Sequence, residues 1–249
     1  MFRVRFAKFL LALGVFLNSN HTAMSQRAEE LLNRAVEASE QGRSSESVDL
    51  ASDPLARNPE LAYAYYLRGR EHFRLGKITE SVADLEQYVR LRPDMEPRQW
   101  ELGLSYYYAG QFEKGARQFE LYQTYHDNDV ENSVWRYLCI ARTDGTEKAR
   151  STLMPIRNDP RIPMMAVYDM FRGEGSPRKV LEAARAGRPG PAQVEGRLFY
   201  AHLYIGLFLL AQGDGEGGKT HILAAERKRI GHYMWDVARY QASLLGKTE

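Results

Sequence analysis

Cysteine is almost missing from this chain, which has a single one, Cys139, among 249 residues. One cysteine excludes an intramolecular disulfide and a zinc site built from several thiolates. Because Cys139 lies far from the N-terminus, no lipobox cysteine is available for lipid attachment either. We expect this residue to fill a helix interior as a small apolar side chain.

An excess of charge of one sign is also missing. The 34 Lys and Arg residues nearly balance the 32 Asp and Glu residues, for a formal charge of +2. Such a balance gives no reason to expect a nucleic-acid partner or an anionic membrane surface. The six histidines form no H-E-x-x-H motif and no i, i+4 pair. No Ser/His/Asp set or paired carboxylates stand out, so we expect no metal, no cofactor and no enzymatic activity.

The first 25 residues differ from the rest. Arg3, Arg5 and Lys8 precede an apolar run at 9–17, and Ala23-Met24-Ser25 resembles a cleavage site. This pattern is typical of a secretory signal peptide. The apolar run itself is too short to span a bilayer. Its removal would change the formal charge from +2 to −1, because it holds three cations and no anion. We therefore expect a periplasmic or secreted protein, with membrane association only if the leader stays uncleaved.

Glycines, apolar residues and prolines recur with a period of 34 residues. Gly42, Gly76 and Gly110 are one period apart, as are Gly69 and Gly103. Further equivalent pairs are Leu85 with Phe119 and Pro59 with Pro93. Four segments fit this period, starting near residues 28, 62, 96 and 130. The pattern predicts that each repeat is a pair of antiparallel helices. Small residues allow the two helices to cross closely, and glycine allows the turn between them. Proline ends the second helix of the pair.

The segments Y-Y-L-R-G and L-G-K-I-T-E-S-V-A-D-L-E-Q-Y-V-R-L-R-P resemble the tetratricopeptide-repeat (TPR) family. The resemblance implies an all-α fold: a TPR superhelix, that is, a right-handed α-solenoid of antiparallel helix pairs, with a C-terminal capping helix. We expect a signal peptide at 1–25, an N-terminal TPR array at 26–155, an irregular helical connector at 156–196, and a C-terminal TPR with its capping helix at 197–249.

Within the connector, we expect helices from Met164 to Phe171 and from the N-cap Ser176 to about Ala186. The repeat then resumes around Phe199, Gly206 and Gly213, and a last amphipathic helix follows at Tyr233–Leu245. The segment 199–245 is similar to the C-terminal part of the NlpI group of periplasmic TPR lipoproteins. That resemblance implies an adaptor that brings envelope enzymes together.

The segment Gly213–Thr220 presents an alternative, since it satisfies the phosphate-binding P-loop pattern G-x-x-x-x-G-K-[ST]. A P-loop needs a parallel sheet, and no convincing strand–helix alternation precedes it. Gly213 also falls where the TPR helix turn is expected. A P-loop nucleotide-binding protein and a structural subunit of an envelope complex remain the alternatives to an exported adaptor.

The first helix of each pair should line the concave groove, where aromatic and arginine side chains favour protein binding. The expected partner is a protein or peptide, and the chain could also form a homo-oligomer. We expect the groove to be lined by Tyr63, Tyr66, Arg70, Phe73, Arg74, Trp100, Leu104, Tyr107, Tyr108 and Arg142, with Glu131 and Val134 following from the third repeat.

Overall fold

The computed structural model describes residues 26–246, and every regular element in that range is a helix. The predicted signal peptide lies outside the described residues. The elements are α1 (26–40), α2 (Ser44–Arg57), α3 (Ala62–Arg74), α4 (Ile78–Leu91), a 3-10 helix (Pro93–Arg98), α5 (Trp100–Tyr108), α6 (Phe112–Tyr122), α7 (Val130–Thr143), α8 (Thr146–Ser151), α9 (Met164–Arg172), α10 (Pro177–Arg185), α11 (Pro191–Ala211), α12 (Gly215–Glu226) and α13 (Tyr233–Leu245).

The prediction of an all-α solenoid of antiparallel helix pairs is confirmed. Helices α3/α4, α5/α6 and α7/α8 form consecutive pairs, and α11/α12 form another. Helix α1 is joined to α2 by the Ser47 hydroxyl, which donates to the Ala35 carbonyl at 2.7 Å. Pairs begin at Ala62 and Val130 as predicted, but α5 begins at Trp100 rather than near 96. The cause is local: Pro93 and Pro97 hold this segment in a 3-10 turn, since proline cannot donate to a helical ladder.

Small residues let the paired helices approach closely. A Cβ added to Gly103 would lie 2.7 Å from the Phe119 ring, and one on Gly69 would lie 2.9 Å from Leu85. Both distances are far below a normal van der Waals contact. At the predicted turn glycine Gly76, φ is +73°, which glycine adopts without strain.

The connector helices lie where the sequence predicts them. The Ser176 Oγ accepts a hydrogen bond of 3.3 Å from the Lys179 N–H, which caps α10. Helix α11 already begins at Pro191, so the boundary expected at 196 falls inside a continuous 21-residue helix. This helix is long and apolar enough to cross a membrane by length and composition, and it packs against α7, α9, α10 and α12.

The C-terminal helix α13 reaches back to the first half of the array. Its Asp236 accepts a hydrogen bond of 3.0 Å from Arg74, 162 residues earlier. Arg239 donates to the backbone carbonyl of Arg74. Tyr240 packs against the turn at Gly76, where an added Cβ would lie 3.3 Å from the ring. Helices α3 and α13 are therefore joined by polar contacts and by packing at the turn after α3.

Gly218 is buried at the contact of α11 with α12, where no larger residue fits without a shift. An added Cβ would lie 2.5 Å from Leu210 and 3.1 Å from the Gly206 carbonyl oxygen. Alanine favours a helix by about 1 kcal/mol over glycine, but overpacking costs about 1 to 3 kcal/mol. We expect Gly218→Ala to lower the free energy of unfolding, measured by urea denaturation.

The matched control is Gly196→Ala in α11, where an added Cβ meets nothing within 4 Å. This variant should be neutral or more stable by up to about 1 kcal/mol, because only the helix preference acts. A Gly218→Ala protein as stable as Gly196→Ala would contradict the packing explanation.

Candidate functional site

The residues predicted to line the groove lie in three different environments. Phe73 and Leu104 are completely buried, in contrast to the expectation that they would face a partner. Trp100, Tyr107 and Tyr108 are largely covered by neighbouring side chains. Val134, expected to follow from the third repeat, is also fully buried. Tyr63, Arg70 and Arg74 of α3 line an open cleft.

The cover over the groove is α13 itself. The Tyr233 ring lies 5.4 Å from the Phe73 ring and 5.5 Å from the Trp100 ring, measured between centroids. The Tyr240 ring lies 5.1 Å from Tyr108 in an edge-to-face arrangement. Such aromatic pairs stabilise a packed core. The surface formed by α3 and α5 is therefore partly covered by the chain's own C-terminal helix.

What remains open is a cleft of about 1090 Å³ between the α1/α2 turn, α3 and the start of α13, which we name the α3–α13 cleft. Tyr63 stands at its edge with 51% of its surface exposed. Arg70 and Arg74 line it, while Tyr66 packs between Tyr63 and Tyr88. Residues that sequence reasoning did not place there are Arg43, Glu46, Ile230, His232, Tyr233, Trp235, Asp236 and Arg239.

A buried ion pair supports the floor of this cleft. Glu101 is 3% exposed, and its Oε1 lies 3.6 Å from the Arg70 Nε and accepts a 3.0 Å hydrogen bond from the Tyr66 hydroxyl. Burial raises the pKa of the Glu101 carboxyl, and the nearby Arg70 opposes that rise. The Arg70 guanidinium also lies 4.9 Å from the centroid of the Tyr233 ring. Arg70 thus links α3, α5 and α13.

Three other residues predicted to line the groove lie around a second cavity, of about 430 Å³, and not around the cleft. Tyr107, Tyr108 and Arg142 line it, together with residues of α11 and α13. Arg142 is exposed and stacks 4.7 Å from the Phe112 ring. These three residues therefore do not join Tyr63, Arg70 and Arg74 in one surface.

The segment that matches the P-loop pattern connects two helices. Gly213 turns the chain with φ of +87°, and α12 begins at Gly215. The Asp214 carboxylate accepts the Gly217 N–H at 2.9 Å, and the Asp214 carbonyl accepts the Gly218 N–H at 3.0 Å. Two amides that would hold phosphate in a P-loop are thus used in capping α12.

Reactive groups in the described part of the chain are few. Cys139 is completely buried, as predicted, and burial raises the pKa of its thiol, so that the nucleophilic thiolate is disfavoured. Between residues 26 and 246, no group of three His, Cys, Asp or Glu side chains is placed to hold a metal ion.

Several solved structures are similar to this chain. No family model matches the chain. A TPR protein from Parabacteroides merdae is 15% identical with a TM-score of 0.46, covering 89% of this chain and 100% of that one. PilW, a type IV pilus biogenesis factor, is 11% identical with a TM-score of 0.48 over 81% and 93% of the two chains. The C-terminal part of a TPR protein from Cytophaga hutchinsonii is 16% identical with a TM-score of 0.42, over 85% and 73%.

Proposed function

We propose that this chain is a non-enzymatic scaffold that binds a segment of another protein in the α3–α13 cleft. The observation that carries the proposal is the cleft itself, which stays open although α13 covers Phe73 and packs against Trp100 and Tyr108. Its volume of about 1090 Å³ suits several residues of a polypeptide rather than a small metabolite. Pairs of stacked helices supply such surfaces in solenoid proteins.

The chemistry of the cleft favours an extended segment with aromatic or acidic side chains. Tyr63 and the half-buried Trp235 offer ring surfaces, and arginines stand along both walls. Tyrosine, tryptophan and arginine are the residues that most often dominate binding energy at interfaces. Arginine can also hold a carboxylate through two parallel hydrogen bonds.

The leader pattern at 1–25 and the resemblance of 199–245 to NlpI-type proteins support a finer proposal. In it, the scaffold acts in the periplasm or outside the cell and brings envelope proteins together as an adaptor. A structural subunit of an envelope complex is the alternative use of the same cleft. That the chain could form a homo-oligomer stays a prediction, which size-exclusion chromatography of the purified chain would test.

The cleft can be tested with peptides selected from a displayed random library on the wild-type protein. We expect Tyr63→Ala to weaken binding of the selected peptides about tenfold, since an exposed interface tyrosine typically contributes about 1 to 2 kcal/mol. Isothermal titration calorimetry would give the affinities. Because Tyr63 is 51% exposed, its removal should leave thermal stability almost unchanged.

The matched control is Tyr125→Ala, which removes a tyrosine that is 53% exposed and lies outside the cleft. It should bind the selected peptides as the wild type does. Equal affinities of both variants and the wild type would exclude the α3–α13 cleft as the binding surface.

A further inference from the structure

A small pocket lies next to the α3–α13 cleft, and His232 lines both cavities. Its volume is about 190 Å³. A cavity of about 150 Å³ already holds a benzene molecule, so the pocket has room for the end of one long side chain. Its walls include four aromatic side chains, two carboxylates and one guanidinium, namely Trp100, Phe119, Tyr122, Trp135, Asp129, Glu131 and Arg161.

Two buried polar atoms in the wall of this pocket have no hydrogen-bond partner. They are the Oδ1 of Asn132, which is 3% exposed, and the Nε1 of Trp135, which is 2% exposed. The amide nitrogen of Asn132 is already used, because it donates to Gln123 at 3.0 Å. An unpaired buried acceptor or donor destabilises the fold unless another molecule completes it. The unpaired Oδ1 calls for a donor.

The charges around the pocket leave an excess of negative groups. Arg161 pairs with Asp129 and Glu131 at 2.6 Å each and with Asp159 at 2.5 Å. Three carboxylates thus share one guanidinium. His232 adds no compensating charge, since burial lowers the pKa of its imidazole. A ligand with a positive charge would offset the remaining negative charge, and the faces of the aromatic rings attract cations as well.

The excess of negative charge in the pocket changes the protonation of Glu131. Its side chain is only 13% exposed, and burial together with the nearby Asp129 raises the pKa of the Glu131 carboxyl to about 7. The Tyr204 hydroxyl donates to its Oε1 at 2.5 Å. Near neutral pH this carboxyl therefore exchanges between the protonated and ionised forms, and a neighbouring cation would favour the ionised form.

We propose that this pocket binds an organic cation, an ammonium or guanidinium group on a short apolar stem. The rings of Trp100 and Trp135 would hold the stem, and Glu131 and the unpaired Asn132 oxygen would receive its N–H groups. Because His232 lines both cavities, a lysine or arginine of the segment bound in the cleft supplies this group. Only this assignment of the cation to a bound segment rests on the proposed function.

The test uses four small probes of similar shape: n-butylguanidinium, n-butylammonium, butyramide and butyrate. The reporter is the indole N–H signal of Trp135 in an NMR spectrum, assigned with a Trp135→Phe variant. We expect the two cations to bind with dissociation constants of about 1 to 10 mM, typical of such small molecules. Butyramide and butyrate should bind at least tenfold more weakly.

Butyramide binding as tightly as the cations would overturn the proposal, since the pocket would then recognise an amide. No saturable shift with any probe would overturn it too. This experiment does not involve the cleft. Peptides that still bind while the cations do not would therefore refute the pocket and leave the scaffold function standing.

A substitution at Glu131 tests whether its negative charge contributes to cation binding. Glu131→Gln keeps an oxygen for the Tyr204 hydroxyl but removes the charge, and we expect it to weaken cation binding about tenfold without changing the binding of butyramide. The control Asp127→Asn removes an exposed carboxylate that pairs with Arg157 outside the pocket, and it should change nothing. Equal cation affinity in Glu131→Gln and the wild type would contradict the proposal.

The wild-type protein gives a second measurement that needs no variant. Cation affinity should rise about tenfold from pH 6 to pH 8, because the cation binds the ionised form of Glu131 and binding releases a proton. A flat profile would contradict the assignment. The other ionisable groups around Glu131 are Asp129 at the start of α7, Asp159 and Arg161 in the loop, Tyr200 and Tyr204 on α11, His126 and His232.

Discussion

Replacing Arg70 by alanine is expected to lower the free energy of unfolding by about 3 to 5 kcal/mol, the range for a buried ion pair that loses one partner. The reason is Glu101, which is 3% exposed and has Arg70 as its cation at 3.6 Å. Without Arg70, the carboxylate stays buried without a cation and keeps only neutral hydrogen-bond donors, among them the Tyr66 hydroxyl. Urea denaturation at pH 7 measures the loss.

Two comparisons separate the charge effect from lost packing. The double variant Arg70→Ala/Glu101→Gln should recover a large part of the stability, since no uncompensated charge remains. Burial raises the pKa of Glu101, so its ionised form costs stability above the pKa of the unfolded carboxyl, and this cost disappears as the pH falls. The deficit of Arg70→Ala should therefore shrink at pH 4. The same deficit at both pH values would show that packing, and not charge, is responsible.

Tyr233→Ala should have an effect of similar size, about 3 to 5 kcal/mol, as expected for truncating a buried aromatic side chain. Tyr233 is 4% exposed and joins α13 to the first half of the array through Phe73, Trp100 and Arg70. Its loss should free the apolar concave surface under α13. We expect a lower midpoint in urea and a stronger fluorescence of 8-anilino-1-naphthalenesulfonate with the variant.

The conservative variant Tyr233→Phe makes this prediction specific. The Tyr233 hydroxyl is buried without a hydrogen-bond partner, so its removal should leave stability unchanged or raise it slightly. A loss in Tyr233→Phe comparable to that in Tyr233→Ala would mean that the hydroxyl, rather than the ring, joins α13 to the array.

The local structure was largely predictable from the sequence because the signals for it are local. The recurring glycines marked the helix turns, and the Ser176-Pro177 pair marked the start of α10. The bounds of α13 were also predicted, since its apolar residues follow the helical period between Gly231 and Gly246. Helix α5 begins later than the 34-residue period predicts, because Pro93 and Pro97 keep the preceding segment in a 3-10 helix.

The candidate site was predictable only in part, because it depends on contacts between distant segments. The sequence placed Tyr63, Arg70 and Arg74 on one helix face, and the cleft includes all three. It did not indicate that Asp236 would reach Arg74, since helical periodicity predicts an apolar face but not the surface that covers it. Glu131 was expected on the groove, yet the pocket around it also needs Arg161 from the irregular loop after α8.

The link between Arg74 and Asp236 spans 162 residues of sequence. In an open solenoid each repeat touches only its neighbours, and terminal repeats can fray independently. Here the last helix cannot detach without uncovering apolar side chains of the second and third pairs. Unfolding of the C-terminal end therefore destabilises helices in the middle of the chain. The array should consequently melt as one cooperative unit, and its folding should be slower than that of an open repeat protein, because this long-range contact must form.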